Sequence, residues 1–198
     1  MLTLAITGGI ACGKSLVGRL MMEMGIPVCE ADGLGHVVLG RAGEAYAAVL
    51  AEFGPSVLGA DGEIDRVRLG TQVFSDPERL QRLNALTHPA IMRRIEDWIG
   101  GQPAGTGYAA VIIPLLFEIR DEAHWDVVVC VTSPSMDQMR RLAERGLTES
   151  EAGARIRAQL DQARKMEGSD YVIHNCGSQA LLREQTERVV RTIRGESS

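Results

Sequence analysis

The feature that most constrains this chain is the glycine-rich stretch at residues 8–15, GGIACGKS. It matches the pattern GxxxxGK followed by Ser or Thr, in which glycines let the backbone turn tightly and direct several N–H groups toward one anion. Apolar, β-prone residues 2–7 precede the stretch, and an amphipathic helical pattern at residues 14–24 follows it. This order of strand, glycine turn and helix predicts a phosphate-binding loop in an α/β fold.

Each position of this loop has an expected task toward a nucleotide. Lys14 is expected to reach the β- and γ-phosphates, and the hydroxyl of Ser15 to bind Mg²⁺. The backbone amides supply the remaining donors, with the Leu16 amide expected at the α-phosphate. The predicted ATP-binding residues of the loop are Gly9, Ala11, Cys12, Gly13, Lys14, Ser15 and Leu16.

The four cysteines indicate something about the phosphate loop, which contains Cys12, and about the cellular compartment of the protein. Cys12 lies near a helix N-terminus, which is expected to lower the pKa of its thiol, so a redox role is one interpretation. A tolerated small side chain is the alternative, and we favour it. Cys12, Cys29, Cys130 and Cys176 form no CxxC pair and no metal-ligand spacing. Free thiols of this kind, without a leader-like or bilayer-length apolar segment, predict a cytoplasmic protein.

Charge and composition narrow the class of partner. The formal net charge is −5 and aromatic residues make up 4% of the chain. Both values disfavour general binding of nucleic acid, and the charge disfavours binding of anionic membranes. The 198 residues, 45% of them hydrophobic, suit one domain with a sizeable core. The sequence gives no indication of the oligomeric state.

The remaining pattern predicts a mostly parallel sheet flanked by helices. Residues 33–105 contain no clear strand and predict an inserted helical lobe, and residues 136–167 predict a helical lid. The core of this single domain would comprise residues 1–32, 106–135 and 168–198. Further strands are predicted at residues 26–29, 108–116, 126–131 and 171–174. Further helices are predicted at residues 46–53, 65–74, 77–98, 134–144, 149–165 and 178–194. Ser75 and Asp76 form the predicted N-terminal cap of the helix that begins at residue 77.

Other classes of phosphate-loop protein fit poorly. A GTPase needs a guanine-reading NKxD motif, which this sequence lacks, and the DxxG at residues 32–35 is a weak match alone. Transport and motor ATPases are larger. Spacing alone therefore indicates a small-molecule kinase, with a non-catalytic nucleotide-binding regulator as the alternative from another class.

Further motifs follow one another along nearly the whole chain. They are TGGIACGKS at residues 7–15, EAD at 30–32, VFSDP at 73–77, LNALTHP at 83–89, PLLFE at 114–118, RLAER at 141–145, RI at 155–156 with Gln159, and DYVIHNCG at 170–177. Together these motifs resemble one family, the dephospho-coenzyme A kinases. The resemblance implies a P-loop kinase fold with an acceptor lobe and a lid. The sequence departs from the family pattern at Cys12, Leu16, Glu30 and His36.

The resemblance implies a reaction. The ATP γ-phosphoryl group would move to the ribose 3′-hydroxyl of dephospho-coenzyme A, giving ADP and coenzyme A in the last step of coenzyme A biosynthesis, with Mg²⁺ as cofactor. A kinase of another nucleotide or metabolite is the nearest alternative. Asp32, at the sheet edge where open α/β folds bind ligands, is expected to prepare the hydroxyl. The predicted acceptor-binding residues are Thr7, Asp32, His88, Leu116, Phe117 and Glu118. His88-Pro89 is expected to interrupt a helix. For residues 115–117, a place in the apolar core is an equally good interpretation.

The predicted lid carries a run of cations, namely Arg140, Arg141, Arg145, Arg155, Arg157, Arg164 and Lys165. Most of them are expected to be solvent-exposed. Phosphoryl transfer spreads negative charge over the equatorial oxygens, so one or two arginines must close over it. Arg145, next to Gly146, is the candidate, which makes Lys14, Asp32 and Arg145 the predicted catalytic residues. Asn175 resembles a residue near the adenine ring, with a turn-forming role as the alternative.

Overall fold

The computed structural model describes residues 1–73 and 76–196, with the backbone alone at Pro77. Phe74, the predicted end of a helix, and Ser75, half of a predicted cap, lie outside the described residues. Asp76 does cap the next helix, because its side chain accepts hydrogen bonds from the amides of Glu78 and Arg79.

The strands form one parallel sheet in the order β2-β3-β1-β4-β5. Their bounds are β1 (Leu2–Gly8), β2 (Val28–Glu30), β3 (Tyr108–Ile112), β4 (Val127–Thr132) and β5 (Tyr171–His174). β1 lies in the centre and pairs with β3 on one side and β4 on the other. The predicted parallel α/β sheet flanked by helices is therefore confirmed, and the carboxyl ends of its strands share one edge.

The helices of the described residues are α1 (Lys14–Glu23), α2 (Ala31–Leu39), α3 (Tyr46–Phe53), α4 (Arg66–Val73), α5 (Pro77–Gly100), α6 (Ser135–Ala143), α7 (Glu149–Arg157), α8 (Gln162–Glu167) and α9 (Gln179–Ile193). Short 3₁₀ turns occur at Pro55–Val57 and Glu122–His124. Within residues 1–73 and 76–196, no helix combines the length and apolar composition needed to cross a membrane.

Two compact units are present, one of them formed by Glu30–Gln102 and the other by the rest of the described chain. The unit that contains β1 has a continuous apolar core between the sheet and helices α1 and α9. Leu4 and Ile6 of β1 pack there with Met21 of α1 and Leu182 of α9. These apolar strand residues are buried because helices cover the sheet, as expected for parallel sheets.

The Glu30–Gln102 unit is helical and has its own apolar core, which includes Val49 and Leu69. The expected interruption at His88-Pro89 is wrong, since Pro89 lies inside α5, which is one helix of 24 residues. Residues on both sides of the proline, including Leu86 and Ala90, pack against the same apolar cluster. This shared packing outweighs the backbone hydrogen bond that a proline inside a helix removes.

Two other predicted elements are wrong in length, both in the sheet-containing unit. The predicted strand at residues 108–116 ends at Ile112, and a turn occupies residues 114–120. The predicted helix at 149–165 is two helices, because α7 ends at Arg157 and α8 begins at Gln162. Between them the Leu160 amide donates to Glu118 Oε1, whereas inside a continuous helix it would donate to the carbonyl four residues earlier.

Candidate functional site

The loop at residues 8–15 connects the carboxyl end of β1 to the first turn of α1. Gly8 and Gly13 have φ angles of 137° and 99°, a region that favours glycine. A Cβ atom at Gly8 would collide with the carbonyl of Val131, and one at Gly13 with the side-chain amide of Asn175. Both glycines are therefore required by the loop's conformation and by the close approach of neighbouring residues.

Lys14 is the first residue of α1, and its side chain turns back along the loop. Its Nζ atom donates hydrogen bonds to the carbonyls of Gly8, at 3.0 Å, and Gly9, at 2.8 Å. Ser15 is exposed in the same first helical turn. The Leu16 amide donates to the Gly13 carbonyl at 3.0 Å, and the Leu16 side chain packs against the core. The lysine and serine are thus placed by a helix that the core fixes.

Side chains from distant parts of the chain hold the backbone of the loop from outside. Around Ile10, the amide donates to Gln159 Oε1 at 2.7 Å, and the carbonyl accepts from Gln138 Nε2 at 2.6 Å. The next two carbonyls accept hydrogen bonds of 2.9 Å, that of Ala11 from Arg141 Nη1 and that of Cys12 from Asn175 Nδ2. These bonds fix the loop in one conformation before any ligand arrives.

Other loop amides have no such partner. Within the described residues, the N–H groups of Ala11, Gly13 and Ser15 donate no hydrogen bond. They lie at the N-terminus of α1, where the helix dipole favours negative charge. The fixed loop therefore presents donors to an anion, as a phosphate site requires.

Gln162 of α8 connects the loop to the end of β4. Its Oε1 atom accepts from Thr132 Oγ1 at 2.6 Å and from Cys12 Sγ at 3.2 Å. Its Nε2 atom donates to the Ser133 carbonyl at 3.1 Å and to Gln138 Oε1 at 2.9 Å. One amide side chain thus satisfies polar groups of β4, α6 and the loop.

Sequence reasoning missed Gln138, Arg141 and Gln162 as residues that shape the site, and it noted Gln159 only within a family motif. Their residue types carry no signal, because glutamine is common on exposed helix faces and Arg141 is one of several neighbouring arginines. Only their contacts with loop carbonyls and amides reveal the role.

The Cys12 thiol behaves differently from the sequence-based expectation. Burial raises its pKa, and this effect outweighs the opposing influence of the Lys14 and Arg141 charges. Cys130, equally buried, has its pKa raised to about 11, chiefly by burial. The expectation of a lowered pKa for Cys12 is therefore wrong, because the loop is packed rather than open at this residue.

Thr7 precedes the loop in β1 and is fully buried. Among the described residues, its hydroxyl has no hydrogen-bond partner. A buried hydroxyl without a partner is costly, so a polar ligand at this end of β1 would satisfy it.

The segment at residues 114–118, PLLFE, follows β3 and packs along α8. Leu116 is buried and Phe117 is partly buried. Glu118 Oε1 lies 2.7 Å from Lys165 Nζ and accepts the Leu160 amide at 2.9 Å. Most cations of the lid are exposed, as expected, but Lys165 is fully buried.

Arg145 and Arg141 differ in their surroundings although both belong to the RLAER motif. Arg141 donates to Ala11, Ser133 and Asn175 and is only partly exposed. Arg145 is exposed beyond the end of α6, and in the described part of the chain its guanidinium has no hydrogen-bond or ion-pair partner. Arg145 is therefore available to a ligand, whereas Arg141 is occupied by the loop.

Two predicted site residues belong to the Glu30–Gln102 unit. Asp32 is exposed in the first turn of α2, two residues after β2. His88 lies within α5, and its buried Nε2 atom has no hydrogen-bond partner among the described residues. Both thus offer a polar group to a ligand within their own unit.

Comparisons with known proteins agree with these features. The family model described as dephospho-CoA kinase matches residues 2–180. A dephospho-CoA kinase of Geobacillus kaustophilus is 42% identical over 194 residues, which are 97% of this chain and 94% of that protein.

Solved structures are also similar to this chain over nearly its whole length. TT1252 from Thermus thermophilus has a TM-score of 0.85 at 33% identity, covering 97% of both chains. A dephospho-CoA kinase from Campylobacter jejuni has a TM-score of 0.71 at 27% identity, covering 98% of both. The chain belongs to the dephospho-CoA kinase family.

Proposed function

We propose that this protein transfers the γ-phosphoryl group of ATP to the ribose 3′-hydroxyl of dephospho-coenzyme A. A bond forms between the 3′-oxygen and the γ-phosphorus, the bond from that phosphorus to the β–γ bridging oxygen breaks, and the hydroxyl proton leaves. The products are ADP and coenzyme A. The observation that carries the proposal is a preformed phosphate loop whose Ala11, Gly13 and Ser15 amides have no partner in the described part of the chain. The family match extends over residues 2–180.

Nucleotide binding would use the loop as a fixed set of donors. The amides of Ala11, Gly13 and Ser15 have no partner within the described residues, so they are available to phosphate oxygens. Lys14 would exchange its carbonyl contacts for the β- and γ-phosphates. The proposed ATP-binding residues are Gly9, Ala11, Cys12, Gly13, Lys14, Ser15, Leu16 and Asn175.

Asn175 has a second task in this proposal. Its side-chain amide donates to the Cys12 carbonyl, and its own carbonyl accepts from Arg141 and Ser133. We therefore expect Asn175 to support the loop as well as to lie near the base.

Mg²⁺ is the proposed cofactor, and Ser15 would hold it together with the ATP phosphates. The Ser15 hydroxyl is exposed at the helix N-terminus, which fits a single protein ligand to a metal held mainly by phosphate oxygens. When bound, the ion would neutralise charge that develops on the transferred group.

The proposed acceptor-binding residues are Thr7, Asp32, His88, Leu116, Phe117 and Glu118. The buried Thr7 hydroxyl and the buried His88 Nε2 atom have no hydrogen-bond partner among the described residues, so each could bind a polar group of the acceptor. Asp32 would accept the proton of the 3′-hydroxyl as general base. The 114–118 segment, with Leu116, Phe117 and Glu118, would border the acceptor. The small-molecule partners are therefore ATP and dephospho-coenzyme A, and free cysteines with a net charge of −5 favour a cytoplasmic protein that binds neither nucleic acid nor membranes.

An acceptor panel in an assay of ADP release tests this function. Purified protein with ATP and Mg²⁺ is compared on dephospho-coenzyme A, shikimate, gluconate and nucleoside monophosphates, and without an acceptor. We expect ADP release to depend on dephospho-coenzyme A, with a matching amount of coenzyme A formed. Preference for another acceptor would indicate a different kinase, and no release with any acceptor would indicate a nucleotide-binding regulator.

Replacing Arg145 with alanine is expected to lower kcat by roughly 10²-fold, the loss typical for one donor that stabilises developing charge. The KM for the acceptor should stay nearly unchanged, because the exposed guanidinium is proposed to reach the transferred phosphoryl group. Arg140→Ala is the matched control, since Arg140 pairs with Asp137 and Glu144 on the surface. Equal effects of the two substitutions would contradict the role of Arg145.

Closure of the lid is expected to involve less than the whole of residues 136–167. Gln138, Leu142 and Lys165 are buried, so both ends of this stretch are held without nucleotide. Hydrogen exchange with and without a non-hydrolysable ATP analogue plus acceptor should change mainly at residues 144–157. Equal protection of residues 144–157 in both states would mean that the lid does not close.

A further inference from the structure

Lys165 is a fully buried cation that the proposed chemistry does not use. Its side chain is 0% exposed and lies in α8. Burying an ammonium group is costly unless it is paired and hydrogen-bonded, and a buried ion pair is seldom more stabilising than apolar residues of similar size. Lys165 is therefore better explained by a role in positioning its contact partners than by a contribution to the stability of the fold.

The contacts of Lys165 fall on both ends of the 114–118 segment. Its Nζ atom lies 2.7 Å from Glu118 Oε1 and donates to the Pro114 carbonyl at 3.2 Å. Glu118 Oε1 also accepts the Leu160 amide at 2.9 Å, from the break between α7 and α8. Three polar contacts thus tie a five-residue turn to α8 and the residues before it.

The middle of the segment is held against the end of the same helix. A Cβ atom at Gly168 would lie 2.6 Å from Phe117 Cε1, so the phenyl ring occupies the space that the glycine leaves. The Ser169 hydroxyl donates to the Lys165 carbonyl at 2.6 Å and fixes this end of α8. Polar and apolar contacts therefore place the segment in the same position.

The other end of α8 contacts the phosphate loop. Gln162, three residues before Lys165, accepts from Cys12 Sγ and from Thr132 Oγ1. One helical turn thus carries one residue in contact with the phosphate loop and another in contact with the 114–118 segment.

We propose that Lys165 and Glu118 are positioning residues, which hold the 114–118 segment at a fixed place relative to the phosphate loop through α8. Glu118 then acts on the acceptor by placing this segment rather than by contacting the acceptor with its carboxylate. The inference rests on the proposed function, because it takes the segment to border the acceptor.

The main variant removes both charges together, as Lys165→Met with Glu118→Met. No buried charge is left unpaired, so the thermal midpoint should stay close to that of the parent protein. The segment loses its three polar contacts, and we expect the KM for dephospho-coenzyme A to rise about 10-fold or more, since small misplacement of binding groups is costly. The KM for ATP should change little. An unchanged acceptor KM would overturn the proposal.

Two single variants separate positioning from direct contact. Glu118→Gln keeps an oxygen for Lys165 and for the Leu160 amide but leaves the buried ammonium without an opposite charge, so we expect a lower thermal midpoint and an acceptor KM that rises less than in the double variant. A loss as large as that of the double variant would mean that the carboxylate charge itself meets the acceptor. Arg164→Met is the control, because Arg164 is exposed on the same helix and pairs only with Glu167 among the described residues.

A second route leaves both charges in place and serves if the double variant does not fold. Gly168→Ala adds the Cβ atom that would displace Phe117, at a φ of −86° that alanine tolerates. It should raise the acceptor KM selectively. An unchanged acceptor KM would show that the position of the segment does not matter.

Hydrogen exchange without substrates distinguishes failure of this inference from failure of the proposed function. In the double variant, amides of residues 113–120 should exchange about 10-fold faster or more, while those of β5 stay unchanged. Unchanged exchange at 113–120 would overturn the role of Lys165 whatever the substrate is. Absence of transfer to dephospho-coenzyme A by the parent protein would instead refute the proposed function.

Discussion

Replacing Lys14 with alanine is expected to lower kcat/KM by about 10³-fold or more while leaving the fold intact, the scale of loss for a group that clamps phosphate. The lysine contacts the Gly8 and Gly9 carbonyls at the mouth of the loop and is not part of the apolar core. Its ammonium group is therefore expected to bind the β- and γ-phosphates of ATP. The measurement is steady-state ADP release, with thermal unfolding to follow the fold.

Arg19→Ala is the matched control for this substitution, since Arg19 is an exposed cation on the same helix. It should leave kcat/KM within about twofold, as expected for a surface change away from the site. Near-normal turnover by a folded Lys14→Ala protein would contradict the assignment of the phosphate loop. A loss explained by unfolding alone would appear as a lowered thermal midpoint.

Replacing Asp32 with asparagine is expected to lower kcat by about 10²–10⁴-fold, the contribution of general acid–base catalysis. The amide keeps the size of the carboxylate but accepts no proton at neutral pH. Asp32 is exposed in the first turn of α2, so the change should cost little stability. The affinity for ATP, measured by calorimetry, should stay close to that of the parent protein.

Glu96→Gln provides the comparison for Asp32→Asn, because it neutralises an exposed acid in the same unit. Its kcat should match that of the parent protein. Collapse of ATP affinity in Asp32→Asn, with turnover surviving at saturating ATP, would instead mean that Asp32 supports the nucleotide site and is not the base.

Much of the fold could be predicted because its signals are local. The apolar strands, the glycine turn and the helix at Lys14 are consecutive in sequence, and the parallel sheet follows from strands separated by helices. Errors arose where distant contacts decide an element. α5 continues through Pro89, and both sides of the proline share one apolar cluster. At the break before Gln162, the Leu160 amide bonds to the remote Glu118 and not to a helical carbonyl.

For the candidate site, the motif predicted the ligand-facing residues but not those that support them. Gln138, Arg141 and Gln162 contact the loop from more than 120 residues away in sequence. Glutamine and arginine occur on most exposed helix faces, so periodicity and composition cannot distinguish a residue that holds a loop from one in water. The pKa of Cys12 was missed for the same reason, since burial by remote residues dominates it.

The sequence by itself determined the phosphate loop, the α/β class and the family, because these depend on residue types at short, fixed spacings. Only the tertiary structure decided that Lys165 is buried against Glu118, that Arg141 is bound to the loop and that Arg145 remains available. The physical reason is that the surroundings of a cation depend on which distant elements pack around it. Neighbouring cations of similar helices can therefore be buried, bound or exposed, and this difference assigns their roles.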